Sequence, residues 1–448
     1  MMQSSTLADG AGAHVGARHV NAHDDGANPG EIAVGVIIGR TSEFFDFFVY
    51  AIASVIVFPR LLFPHTDALT GTLYSFAIFA LAFIARPFGT TIFTVVDRNL
   101  GKNAKLTSAL FLLGTSTVAI AFLPNYDTIG VAAIWLLALA RIGQGLAWGG
   151  AWDGLASLLA VNAPPQKRGW YAMVPQLSAP LGLIVASLLF AYFAGNLSAD
   201  DFFDWGWRYP FFVAFAINVV ALFARLRMVA TPGYSKRFER RELQPALVVD
   251  TLRHEWRNIA IGAFVPLASF ALFHMVTVFP LSWVFLYTQE APARFLLIEG
   301  IGALFCLAAI VASGLLADRF GRHALLLGSA VAIAAYSGFA PQLLDAGVVG
   351  ETIYMFVGFV LLGLSFGQSS GAAASHFSNA YRYTASALTA DFAWLFGAGF
   401  APLAALLLAS NFGLIAAGAY LLSGAACSLV ALALILRRRR NNPAGQQA

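Results

Sequence analysis

The stretch EIAVGVIIGRTSEFFDFFVYAIASVIVF, residues 31–58, decides the fold. It is long enough to cross a bilayer core, which takes about 20 apolar residues in a helix, yet it holds Arg40, Glu43, Asp46 and Tyr50. Their spacings of 3, 3 and 4 put all four on one helical face. An ionisable side chain at membrane depth costs a few kcal/mol or more, so this face must look into a protein interior. The segment therefore reads as a membrane-spanning helix with a polar face, and a single such helix needs partners to cover it.

The rest of the chain supplies them. Of its 448 residues 59% are hydrophobic and 11% charged, against about 25% charged in a soluble domain. Backbone groups in lipid must bond internally, and continuous apolar runs, rather than alternating ten-residue segments, select helices over a barrel. Spans are expected near 32–58, 69–96, 106–123, 129–160, 169–194 and 209–228, then near 258–287, 295–316, 324–343, 351–376, 384–409 and 412–436. The expected fold is an all-α membrane protein of twelve transmembrane helices in two six-helix pseudo-repeated bundles, residues 31–228 and 258–436. A cytoplasmic central loop at 229–257 holds Lys236, Arg237, Arg240, Arg241, Arg253 and Arg257. Residues 1–30 read as a disordered cytoplasmic tail, with His14, His19 and His23 part of it, and 437–448 as a basic cytoplasmic tail. Cys306 and Cys427 lie in apolar runs and read as small packing residues.

Orientation follows from Lys and Arg placement. With the N-terminus inside, twenty-one of the 27 Lys and Arg fall on the cytoplasmic side, and Arg60, Arg208 and Arg294 fall outside. Arg40, Arg86 and Arg141 lie within spans. Both termini are thus expected in the cytoplasm of a multi-pass inner-membrane protein. The net charge of +4 needs no nucleic-acid partner to explain it. The halves also echo each other: Asp97-Arg98 before Gly101-Lys102 returns 221 residues later as Asp318-Arg319 before Gly321-Arg322. Two repeats with a site between them are a recurring transporter plan.

The costly residues name a candidate path. Glu43, Asp46 and Asp391 are the proton-coupling candidates. Tyr50, Arg86, Arg141, Gln144, Gln176, His274, Gln368 and Trp394 are the substrate-binding candidates. Arg141, Gln144, Trp148 and Trp152 share a face, and glycines at 143, 145, 149 and 150 thin the same helix for close packing. Arg86 and Arg141 must meet either the carboxylates of the first span or an anionic substrate group. His376 lies near a helix end. There is no phosphate-binding Gly-Lys-Ser/Thr loop, no metal-ligand spacing and no catalytic constellation. The chain is therefore not expected to be an enzyme or to use a cofactor or metal, and a gradient must drive transport.

Residues 43–50 (EFFDFFVY), 85–89 (ARPFG), 141–150 (RIGQGLAWGG), 167–170 (KRGW), 204–212 (DWGWRYPFF) and 314–322 (GLLADRFGR) together carry a resemblance. The chain resembles the major facilitator superfamily, and within it the metabolite:H⁺ symporter branch. The resemblance implies alternating access about a site between the halves, in a monomer that takes up a small carboxylate or zwitterion with protons. It also implies a cytoplasmic latch at Asp97, Arg98, Asp318, Arg319, Gly321 and Arg322. The chain departs from the family in the first latch, FTVVDRNLGKNAKL at 93–106, where Arg98 stands in the place of the family's aspartate. Ala151 replaces a common Glu, with Asp153 two residues on, and Asp391 stands where related carriers show Asn. An exporter or antiporter is the alternative, for which SAPLG at 178–182 lacks the antiporter glycines. A non-transporting membrane sensor is the remaining, weaker reading.

Overall fold

The computed structural model describes residues 29–151, 163–229, 244–369, 377–378 and 380–441. Trp152, Asp153, His376 and the central-loop cations Lys236 to Arg241 lie outside them.

Each half contributes six long helices. The first six are α1 (Pro29–Ile56), α2 (Ala68–Leu100), α3 (Lys102–Ala121), α4 (Ala132–Gly150), α5 (Arg168–Asn196) and α6 (Tyr209–Val229). The second six are α7 (Leu267–Tyr287), α8 (Pro292–Phe320), α9 (Arg322–Phe339), α10 (Gly347–Phe366), α11 (Arg382–Phe412) and α12 (Leu414–Asn441). Among the described residues eleven helices are long and apolar enough to cross a membrane. The twelfth is α1, 28 residues long; its apolar run is broken by Arg40, Glu43 and Asp46.

The packing repeats. In the first half α2 packs on α4 and α3 on α6, and in the second α8 packs on α10 and α9 on α12. The halves meet along two seams, α5 against α8 and α2 against α11. The α2–α4 crossing is tight enough that a Cβ at Gly145 would strike the Ala82 carbonyl, and one at Gly149 the Arg86 carbonyl. That approach carries Arg141 and Trp148 of α4 into the interior beside α1.

Helix ends follow local chemistry. Asp67 caps α2 by accepting from the Thr70 amide at 3.0 Å, and this bond holds its carboxyl below the usual carboxylate range. α2 and α8 both stop on a glycine in the left-handed region, Gly101 at φ 84° and Gly321 at φ 87°, where a side chain would be strained. Three helices bend near the centre. α5 passes through a tighter turn at Val174–Leu177, with Pro175 in it. α7 breaks at Val278 before Pro280. α11 widens to a π-helical turn at Trp394–Gly399, a distortion common at functional sites.

The central connection, expected as a loop through residue 257, contains the helix Val248–Phe264. It packs on α11, with Val248, Thr251, Glu255 and Ile259 on its buried side. Its opposite face bears Arg253 and Arg257, so its mean hydropathy is low and the segment reads as a polar connection.

Candidate functional site

Asp46 of α1 is fully buried. The Thr117 hydroxyl of α3 donates to its Oδ1 at 2.5 Å, and the Gln144 amide of α4 lies 3.3 Å from its Oδ2. The same amide reaches Thr117 at 3.0 Å. Arg141, one turn before Gln144, donates from Nη1 to the Gln144 Oε1 at 3.0 Å and from Nε to the Phe79 carbonyl at 3.2 Å. Arg141 is thus linked to Asp46 through one amide. Its guanidinium also lies over the rings of Tyr50 at 3.9 Å, Phe79 at 4.8 Å and Trp148 at 5.0 Å, contacts that strengthen when desolvated.

Around this network sit four buried polar atoms with no hydrogen-bond partner: the Tyr50 hydroxyl, Arg141 Nη2, Trp148 Nε1 and His274 Nε2. They belong to one cluster, because Phe47 lies within 6 Å, centre to centre, of both Trp148 and His274, and Phe79 packs on His274 at 5.3 Å. Buried polar atoms without partners cost about 1–3 kcal/mol each, and such groups call for an explanation. Their polarity can be assigned. The Thr277 hydroxyl donates to the Phe273 carbonyl at 2.8 Å, so it accepts from His274 Nδ1 at 3.3 Å. In the neutral ring Nε2 is then an acceptor. Arg141 and Trp148 offer donors, Tyr50 offers either, and His274 offers a lone pair. That set suits a solute with an anionic group and a hydroxyl or N–H donor.

A second charged cluster spans the halves. Arg86 of α2 donates from Nε to Asp391 Oδ1 of α11 at 2.7 Å, and the Thr90 hydroxyl reaches Asp391 Oδ2 at 2.5 Å. Removing one partner of a buried pair typically costs about 3–5 kcal/mol, so this pair clasps the α2–α11 seam. Trp394 lies one turn on, with the Arg86 guanidinium 5.9 Å from its ring, and packs on Phe83, Phe270 and Phe273. A cavity of about 30 Å³ lies here, lined by Arg40, Glu43, Arg86, Trp148 and Trp394 among others. It has the scale of one water.

The remaining candidates lie elsewhere. Gln368 is at the latch: its Nε2 donates to the Gly169 carbonyl at 3.0 Å and its Oε1 faces Arg322 Nε at 3.3 Å. Gln176 is buried in the tight turn of α5, which packs on α1. Asp318 accepts from the backbone amides of Gly169 at 2.6 Å and Trp170 at 3.1 Å, across the seam. Arg322 Nη2 is 3.3 Å from the Arg168 carbonyl, and Arg319 is exposed. In the first half Asp97 is buried and pairs with Lys105 at 3.4 Å, while Lys105 donates to the Tyr383 hydroxyl of α11 at 2.9 Å. Arg98 is exposed.

Sequence reasoning passes over Thr90, Thr117, Lys105 and Glu299. Threonines are common in apolar spans, so the first two carry no signal of their own. Glu299 does: a lone carboxylate inside FLLIEGIGALF, residues 295–305, is as costly as Asp46.

At the end opposite the latch a vestibule of about 980 Å³ opens, lined by Arg60, Asp127, Asp204, Arg208, Phe285 and Pro292 among others.

Two related bundles, two seams and a buried polar centre are the plan of a membrane transporter. The chain belongs to the Major Facilitator Superfamily, whose sequence profile matches residues 36–402. It is 35% identical over 421 residues to the inner membrane metabolite transport protein YhjE of Escherichia coli strain K12, covering 92% of this chain and 95% of that one. To the shikimate transporter of the same strain it is 29% identical, covering 91% and 94%. The solved structure of the xylose transporter XylE from E. coli, in a partially occluded inward-open conformation, aligns with a TM-score of 0.65 at 17% identity over 91% of this chain and 97% of that one. That likeness concerns the fold. These relatives are transporters, and the chain is a carrier rather than an enzyme.

Proposed function

We propose that the chain is a proton-driven symporter that brings a small organic acid or zwitterion into the cell across the inner membrane. The observation that carries this reading is the joining of Asp46 to Arg141 through Gln144, beside four unpartnered polar atoms. With Asp46 ionised, Arg141 is partly neutralised by it. A proton on Asp46 removes that charge and leaves the guanidinium, Trp148 and Tyr50 to hold a carboxylate, while His274 accepts from a hydroxyl or ammonium on the same solute. Proton and anion then enter together as a nearly neutral load, which lowers the cost of reorienting the site through a low-dielectric interior. The relative named for shikimate supports a carboxylate substrate.

The basic residues Lys102, Lys105, Lys167, Arg168, Arg319, Arg322 and Arg382 gather at the latch end, which supports a cytoplasmic placement of that end by the positive-inside rule. The vestibule then faces outward.

The test is transport in proteoliposomes with a carboxylate identified by thermal-shift screening. Asp46→Asn retains counterflow exchange but loses accumulation against a gradient, and a protonophore abolishes accumulation by the wild type. Accumulation that ignores the pH gradient overturns the reading.

A further inference from the structure

Glu299 of α8 is fully buried, and it is absent from the network described above. Its Oε2 accepts from the Ser187 hydroxyl of α5 at 3.2 Å, and its Oε1 is buried with no hydrogen-bond partner. Ser187 is itself fully buried. The carboxyl therefore lies in the α5–α8 seam with one neutral hydroxyl for company.

The packed neighbours offer it no counter-charge. α5 carries one charged residue, Arg168, at its latch end, nineteen positions before Ser187. α10, the other main neighbour of α8, carries Glu351, which belongs with Glu290 and Arg294 at the helix ends. Its Tyr354 hydroxyl is committed to the Met275 carbonyl at 2.5 Å. On α7 the titratable groups are His274, in the central cluster, and Tyr287, partly exposed at the far end. From α9, Arg322 and His323 stand at the latch end, and the Tyr336 hydroxyl bonds to the Tyr354 carbonyl at 2.8 Å. An isolated ionised carboxylate in such a place costs several kcal/mol, so the group is neutral while the seam is closed.

The vestibule lies about two helical turns away. The vestibule reaches Ala194 on α5 and Pro292 on α8. Each lies seven residues from Ser187 or Glu299, about 10 Å along its helix at 1.5 Å per residue. Gly314, where α8 packs on Trp170 and Met173, is fifteen residues beyond Glu299, roughly 22 Å toward the latch. Parting of the outer ends of α5 and α8 would wet Glu299 long before it disturbed the latch.

We propose that Glu299 is a second protonation site that gates outer closure, neutral while α5 and α8 are packed and ionised only when their outer ends separate. On opening, Glu299 gives its proton to vestibule water; before closing, it takes one back. Outer closure thus requires a proton on Glu299, whatever the state of Asp46. The proposal rests on the symport reading only in taking the vestibule as the outward side.

The experiment is infrared difference spectroscopy of the purified protein, combined with exchange in proteoliposomes across pH. Glu299→Gln preserves the acceptor for Ser187 and the shape. It should remove a neutral-carboxyl carbonyl band present in the wild type, and Ser187→Ala should shift that band. Wild-type exchange should fall on the alkaline side by up to about tenfold per pH unit, as a single titrating group dictates, and Glu299→Gln should flatten that arm. A band unchanged by Glu299→Gln, or an alkaline arm unchanged in the variant, overturns the proposal. If Glu299→Gln does not fold, the Ser187→Ala shift decides: a shifted band supports a neutral Glu299 and an unshifted one refutes it. Failure of Asp46→Asn to uncouple transport would sink the symport reading and leave the Glu299 band intact, so the two outcomes are distinct.

Discussion

The ends of α2 and α8 are one device built twice, and they differ by one residue of register. Both helices stop on a left-handed glycine whose amide bonds to the carbonyl four residues back, Asp97 for Gly101 and Ala317 for Gly321. The next position is Arg98 in α2 and Asp318 in α8. Asp318 faces the other half and accepts two backbone amides at the start of α5. Arg98 is exposed. The carboxylate of the first half stands one residue earlier, a turn of about 100° on a helix, and points to Lys105, which bridges to Tyr383. A latch moved by one residue still crosses the seam, but it needs a lysine intermediary and a neutral hydroxyl at the far end. Direct bonds from Asp318, Arg322 and Gln368 hold one seam; one indirect chain and the Arg86–Asp391 pair hold the other.

The largest expected effect comes from breaking the direct latch. Asp318→Ala loses two charge-assisted bonds, about 3 kcal/mol in all, or roughly a hundredfold in the closed-to-open ratio at the latch end. Labelling of a single cysteine at Ser313 by an impermeant reagent added from that side measures it, in a background lacking Cys306 and Cys427. Asp97→Ala should have a clearly smaller effect, and equal effects would dissolve the contrast. Next comes Lys105→Met, which cuts the indirect chain and should shift the same ratio about tenfold, close to the value of one bond to a charged group. Adding Arg98→Asp restores a carboxylate at the place Asp318 holds in the other half and should recover part of that loss. No recovery would mean that the α11 end cannot accept a direct latch. The smallest effect concerns Glu255, on the helix that packs beside the same α11 end. Burial works against its charge, but hydrogen bonds from Asn258 and from the Ser378 hydroxyl and amide outweigh it and hold the carboxyl below its ordinary range. Its stabilising contribution is present above the unfolded value of about 4.3 and is lost as pH falls through the lower folded value. The wild type should therefore lose a little more thermal stability on acidification than Glu255→Gln, a difference that scanning calorimetry can read.

The helices themselves were legible in the chain. Bilayer thickness and the cost of burying charge act on local stretches, so apolar length, the 221-residue echo and the polar face of Arg40, Glu43, Asp46 and Tyr50 could be read without a partner in view. The helix Val248–Phe264 was not legible by the same route, because an amphipathic segment looks like a polar connection when only hydropathy is weighed. Asp46, Arg141 and Gln144 were legible as costly residues, and their spacing placed them on interior faces.

What each costly residue meets was decided only by tertiary structure. Arg86 finds Asp391 305 positions away, Gln368 leaves the centre for the latch, and Glu299 meets Ser187 across a seam between halves. The physical reason is that a helix determines which way its own side chains point, while the partner depends on how two helices are rotated and how closely they approach. Those rotations are set by glycines such as Gly145, by the breaks in α5, α7 and α11, and by the packing of one half on the other.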